Sequence, residues 1–258
     1  MTEHGFVVRR VVTSRAGGAS AGPYAAFNLA DRVGDDPAAV AANRQRLASA
    51  VGLPVDRIVW MDQVHGSGVQ VVDGGLPAPL EGVDAVVTAE PGLVLGVLVA
   101  DCVPILLADA EVGVIAAVHA GRSGARDGVV RNAVAAMWRL GAEPDRTEAL
   151  LGPAICGACY EVPADLQREV EDRLPGSAST TRRGTTGLDL RAGVAAQLTA
   201  LGVGRVVADP RCTAEDPQLY SYRRDGVTGR QAGLIWIEPA SASAPGSAES
   251  THPEASQR

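Results

Sequence analysis

Lysine is absent from the 258 residues, so all 23 basic side chains are arginine. That excludes Schiff-base catalysis and the phosphate-gripping lysine of Walker-type loops. Any anion must be held by guanidinium groups, backbone N–H groups or a metal. Cysteine is scarce, at four residues, too few for a disulfide scaffold of this length. Positive charge is outweighed: the net charge of -7 argues against a nucleic-acid partner. No apolar run reaches the about 18 residues of a membrane span, because Asp101 and Asp109 interrupt the best candidate. The opening stretch MTEHGFVVRR has no signal-peptide pattern. The expectation is a soluble cytoplasmic chain with reduced thiols, bound to neither membrane nor nucleic acid, and a monomer or weak homo-oligomer.

What is present is a large apolar fraction, 46%, enough for a substantial core. Strand-like and helix-like stretches alternate. Apolar runs at 6–14, 57–61, 84–89, 93–100, 104–109, 112–118, 148–152, 205–209 and 233–238 read as strands, several buried on both faces. Helices are expected from 37 to about 51, 127–140, 163–174 and 189–201. Asp36 and Asp189 sit at N-cap positions, and Gly52 and Gly202 at stops. The Gly-rich segment 13–36 reads as a long functional loop. Residues 1–238 form one domain on this reading. From 239 to 258 the chain is Ala, Ser, Pro and Glu, a composition that predicts a disordered tail.

Histidine is as scarce as cysteine, and two of the four lie near the ends. The two internal ones share a setting with one cysteine. His65 follows RIVWMDQV, His119 follows VGVIAAV, and Cys102 follows LVLGVLVAD. A lone histidine at a strand end is ordinarily a hydrogen-bonded structural residue, and a buried cysteine a small hydrophobe. Three such residues beyond three apolar strands point instead to one site, because ligands of α/β sheets bind outside strand ends. Two imidazoles and a thiolate suit zinc, and three protein ligands leave a fourth position open, as in catalytic sites. Asp101 and Asp84 flank the same strand ends and are candidates to carry a proton. The Cys-x-x-Cys of GPAICGACYEV has no second pair, and Cys212 is isolated. It reads as a loop with two part-buried thiols, a redox or second-metal role being the alternative. The arginines of YSYRRDGVTGR read as structural ion pairs.

Several stretches, in order, resemble the laccase-domain family, also named for purine nucleoside phosphorylases and peptidoglycan-editing factors. They are TSRAGGASAGPYAAFNLADRVGDD, WMDQVHG, DAVVTA, ADCVPILLAD, AVHAG, LGPAICGACYEV and YSYRRDGVTGRQA. The resemblance implies a single α/β domain, a mixed β-sheet flanked by helices on both faces, and zinc held by His65, Cys102 and His119. It also implies purine nucleoside chemistry: phosphorolysis of adenosine, inosine, guanosine or methylthioadenosine, and deamination of adenosine. Arg15 with Gly17 and Gly18 is then a candidate for phosphate, and Asn43 and Gln63 for base or ribose. The family's His-Ala-Gly-Trp-Arg-Gly reads HAGRSG here, which moves the arginine to Arg122, a further candidate for substrate binding. Two alternatives remain at this point. Cys102 could be the nucleophile of an amide hydrolase that edits a peptidoglycan precursor, or the chain could be a non-catalytic binding protein. Laccase chemistry itself needs many more histidines than the sequence has.

Overall fold

Runs rich in Val, Ile and Leu fold as strands, and Ala-rich stretches bounded by Asp, Pro and Gly fold as helices. The structure, a computed structural model, describes residues 5–74 and 79–239. In chain order the elements are β1 (Phe6–Val12), α1 (Pro37–Val51), β2 (Ile58–Val59), β3 (Met61–Asp62), β4 (Val69–Val71), β5 (Leu80–Glu81), β6 (Ala85–Thr88), β7 (Val94–Val99), β8 (Val103–Asp109), β9 (Val114–Ala120), α2 (Arg122–Asp127), α3 (Val129–Arg139), β10 (Glu148–Leu151), α4 (Ala164–Arg173), β11 (Ala178–Thr180), β12 (Thr186–Leu188), α5 (Leu190–Ala200), β13 (Arg205–Ala208), α6 (Tyr222–Asp225) and β14 (Gln231–Pro239). The expected caps are in place. The Asp36 carboxylate accepts from the Ala38 N–H at 3.0 Å, and the Asp189 carboxylate from the Ala192 N–H at 3.0 Å.

A six-stranded mixed sheet runs in the order β13-β10-β8-β9-β6-β4, and a four-stranded one in the order β1-β14-β7-β2. They stack face to face. Leu106, Ala108, Ile115 and Ala117 of the larger sheet meet Leu95, Val97, Val99, Ile235 and Ile237 of the smaller. The alternate residues of the same strands, Ile105, Leu107, Ala116 and Val118, face α3 and α5 through Val130, Ala133, Met137 and Val194. On the opposite side, Leu47 and Ala48 of α1 pack with Trp60, Leu234 and Trp236. Trp60 lies flat on β7 because Gly96 leaves room; a Cβ there would sit 2.7 Å from the indole ring. Each fully buried leucine such as Leu107 contributes about 1.5–3 kcal/mol, and truncation to Ala costs about 2–5 kcal/mol.

The α/β class, the mixed sheet and the helices on both outer faces agree with the sequence reading. The strands divide among two main sheets and the two-stranded pairs β3-β5 and β11-β12 rather than filling one sheet. The reason lies at residues 100–102, where Asp101 takes a φ of 90° and turns the chain out of β7 in one sheet into β8 in the other. Pro104 does not halt the second strand. Opposite it stands His119, whose N–H donates to the Asp84 carbonyl at 2.7 Å on the far side, so no ladder bond to β8 is missing. Pro239 completes β14, and the remainder of the expected tail, 240–258, lies outside the described residues. Among the described residues no helix is long and apolar enough to cross a membrane.

Candidate metal centre and its cavity

His65 lies in the turn after β3 with a φ of 59°, Cys102 in the corner between the sheets, and His119 within β9. The Cys102 Sγ is 3.7 Å from the His65 Nε2, and the two imidazole rings meet edge to face with centroids 4.7 Å apart. One ligand atom from each of the three residues lies within 4.8 Å of the others. The sequence suggested three neighbouring strands; the structure gathers the donors from the turn after β3, the corner between β7 and β8, and β9 itself.

Asp84 organises them. It is fully buried, and its carboxylate accepts from three consecutive N–H groups, Val64 at 3.2 Å, His65 at 3.0 Å and Gly66 at 2.7 Å. The same carboxylate contacts the His119 Nδ1 at 2.7 Å. That bond leaves the His119 Nε2 to face the centre, the usual partnership of a metal-ligating histidine. Burial opposes the charge on Asp84, yet His119 and the backbone donors hold its carboxyl below the ordinary carboxylate range. Burial likewise opposes the Cys102 thiolate, but the charge of His119 and hydrogen bonds from both histidines draw the thiol down to about 6. His119 is the mirror case: burial lowers it, Cys102 and Asp84 raise it, and it reaches about 9. Gly121 is required by this crowding, since a Cβ there would stand 2.6 Å from the His65 Cδ2 and 3.3 Å from the Cys102 Sγ.

The three donors open onto a cavity of about 500 Å³. Asp101, Gln63 and Arg122 also line it, together with Tyr160 and three arginines that the sequence did not single out, Arg32, Arg223 and Arg230. Asp101 is held at the rim by the Thr213 hydroxyl and the Arg223 N–H, each donating at 2.6 Å. Gln63 clamps the cavity wall to β7: its Nε2 donates to the Leu98 carbonyl at 2.7 Å and its Oε1 accepts from the Leu98 N–H at 2.8 Å. The Arg223 guanidinium stacks 4.8 Å from the Tyr160 ring. Two other predicted site residues stand outside the cavity lining. Arg15 donates to the Ala25 carbonyl at 2.9 Å and stacks 4.9 Å from the Tyr220 ring. Asn43 is buried, accepting from the Ala19 N–H and donating to Ser20, Ala26 and Asn28. Arg223 and Arg230 lie in a stretch read as structural ion pairs. Their only sequence signal was the density of arginine in that stretch.

Residues 9–238 match the family described as multi-copper polyphenol oxidoreductase laccase. The chain belongs to that family. It is 57% identical over 233 residues to a protein of Corynebacterium glutamicum named purine nucleoside phosphorylase, covering 89% of this chain and 94% of that one. A Mycobacterium tuberculosis protein of the same name is 58% identical over 231 residues, covering 90% and 92%. Among solved structures, YlmD from Geobacillus stearothermophilus superposes with a TM-score of 0.82 at 31% identity, covering 92% and 97%. NMB0706 of Neisseria meningitidis gives 0.81 at 36% identity, covering 90% and 94%. The several coppers of a laccase do not fit the donors present. A blue-copper centre plus a three-copper cluster needs many imidazoles, and the described residues of this family member contain two. Two imidazoles with one thiol and an open side could hold a single metal ion.

Proposed function

We propose that the chain is a zinc-dependent purine nucleoside phosphorylase that also deaminates adenosine. The observation that carries this reading is the meeting of His65, Cys102 and His119 at one end of a cavity whose walls are rich in arginine. Its volume, about 500 Å³, falls within the about 300–1,000 Å³ of small-ligand sites. The names of the relatives support the substrate class: adenosine, inosine, guanosine or methylthioadenosine, with phosphate.

His65, Cys102 and His119 would hold the zinc, which would supply Lewis-acid polarisation of a substrate or water oxygen. Arg122, Arg223 and Arg230 take the phosphate, since guanidinium groups are the only side-chain cations this chain offers beyond histidine. Asp101 carries the proton to or from the purine: it lines the cavity, and each of its oxygens has accepted one hydrogen bond, leaving lone pairs free. Asp84 has no such freedom and acts as a positioning residue for His119 and the turn at His65. Gln63 fixes the wall, and Arg15 and Asn43 brace the long loop that borders it. The reaction belongs in the cytoplasm, where the thiols stay reduced.

The test is incubation of the zinc-loaded chain with adenosine, inosine and methylthioadenosine, with and without phosphate, reading products by chromatography. Free base released only with phosphate, and inosine formed from adenosine, are the expected results. No product from any nucleoside at stoichiometric zinc overturns the reading and favours a binding protein. The depressed Cys102 thiol supports a second reading, a nucleophilic amide hydrolase acting on a peptidoglycan precursor. Rapid inactivation by a thiol alkylator, with no loss on chelation, would select it.

A further inference from the structure

Away from that cavity's donors, the chain makes the same tight turn twice. In Cys156-Gly157-Ala158-Cys159 the N–H groups of Cys159 and Tyr160 both donate to the Cys156 carbonyl, at 2.9 and 3.0 Å. In Cys212-Thr213-Ala214-Glu215 the N–H groups of Glu215 and Asp216 both donate to the Cys212 carbonyl, at 3.1 and 2.9 Å. Each turn presents its first and fourth side chains together. A parallel bridge between Ala154 and Cys212 sets the turns against each other. Cysteine 212, isolated in sequence, is therefore half of a second pair in which glutamate takes the place of the other cysteine.

The four side chains converge. Their ligand atoms lie within 4.8 Å of one another, the Cys156 N–H points at the Cys212 Sγ at 3.3 Å, and the Cys159 Sγ is 3.1 Å from the Glu215 Oε1. Zinc–sulfur bonds of about 2.3 Å place tetrahedral ligand atoms about 3.8 Å apart, so closure needs shifts of an ångström or less. We propose that Cys156, Cys159, Cys212 and Glu215 form a second metal site, closed and structural, that takes a thiophilic divalent cation such as zinc. Four protein donors leave no open position, in contrast to three donors facing a cavity. In the absence of a cation, burial and the neighbouring Glu215 and thiols push the Cys159 thiol up, and burial pushes Cys212 up. Arg182 pairs with the Glu215 Oε1 from outside and offsets part of the negative charge of three thiolates and a carboxylate. The site would also brace the cavity. Ile155 and Tyr160, which line it, flank the first turn, and Thr213 of the second turn donates to Asp101.

The experiment uses the full chain, purified reduced and without oxygen, exposed to zinc or cobalt(II) alone, desalted and analysed for metal. Two equivalents are expected in the wild type, and one each in Cys102→Ala and Cys159→Ser. Cobalt(II) in Cys102→Ala should give the intense near-ultraviolet absorption of several thiolate ligands, and chelation should lower its Tm. Should Cys159→Ser fail to fold, Cys102→Ala alone decides, since it leaves this cluster intact: no bound metal there overturns the proposal. So does a wild type with one equivalent that Cys159→Ser keeps, or a Cys156–Cys159 disulfide in the reduced preparation. One equivalent lost in Cys159→Ser but kept in Cys102→Ala would instead sink zinc at the cavity.

Discussion

Two thiol clusters lie within one domain and are built in opposite ways. At the cavity, His65, Cys102 and His119 come from three separate segments of the chain, and one side of the trio is open. At the other cluster, two four-residue turns supply the donors, and the set is complete by itself. The first trio is kept in place by a buried carboxylate, Asp84, which spends its lone pairs on backbone and imidazole N–H groups. The second is kept in place by the turns' own backbone. The difference teaches that a site that must expose a reactive position is held by a carboxylate outside the donor set, whereas one that only has to hold can be built on its own paired turns.

Removing the thiolate of the open site should have the largest effect. Cys102→Ala is expected to lower phosphorolysis by at least about a hundredfold, as loss of several kcal/mol of Lewis-acid stabilisation requires. Near-normal kcat in that variant would erase the distinction between the clusters. Next comes Asp84→Asn, which removes the anchor of His119; zinc affinity measured against a chelating dye should drop by about 10- to 100-fold. An unchanged affinity would mean that the histidines are positioned by packing alone. A matched glycine pair sharpens the contrast further. Gly121→Ala forces a methyl against His65, at a strain of about 1–3 kcal/mol, and should weaken zinc at the cavity more than it lowers Tm. Gly157→Ala forces one against Ser179, where a Cβ would stand 2.4 Å from the hydroxyl, and should act mainly on Tm. The reverse pattern would exchange the roles assigned to the two clusters. The smallest effect separates two arginines: Arg122→Ala should raise the phosphate KM by about tenfold, the worth of one charge-assisted contact. Arg15→Ala should lower Tm by a few degrees. A phosphate KM that responds to Arg15 instead would return the anion to the long loop.

The open site was the more legible of the two. His65, Cys102 and His119 each follow an apolar run, and that shared context is visible in sequence. What was not visible is the division of those runs between two sheets, because strands buried on both faces have the same apolar pattern in either arrangement. Asp84 could be noticed but not understood, since its partners are mostly backbone N–H groups that leave no trace in side-chain identity. Arg15 and Asn43 looked available because nothing in a sequence shows that a polar atom is already taken. Cys212 looked solitary because its partner is a glutamate, and only the repeated turn reveals the match.

The corner at Asp101 has a consequence for how the cavity's donors are assembled. Cys102 and His65 are 37 residues apart and meet at the corner where the chain leaves the smaller sheet for the larger. The cavity's donor set is therefore a product of the finished fold and not of any local segment. The same holds for the second cluster, whose two turns are 56 residues apart in sequence and are joined by the bridge between Ala154 and Cys212. Each cluster thus reports that distant parts of one chain have come together.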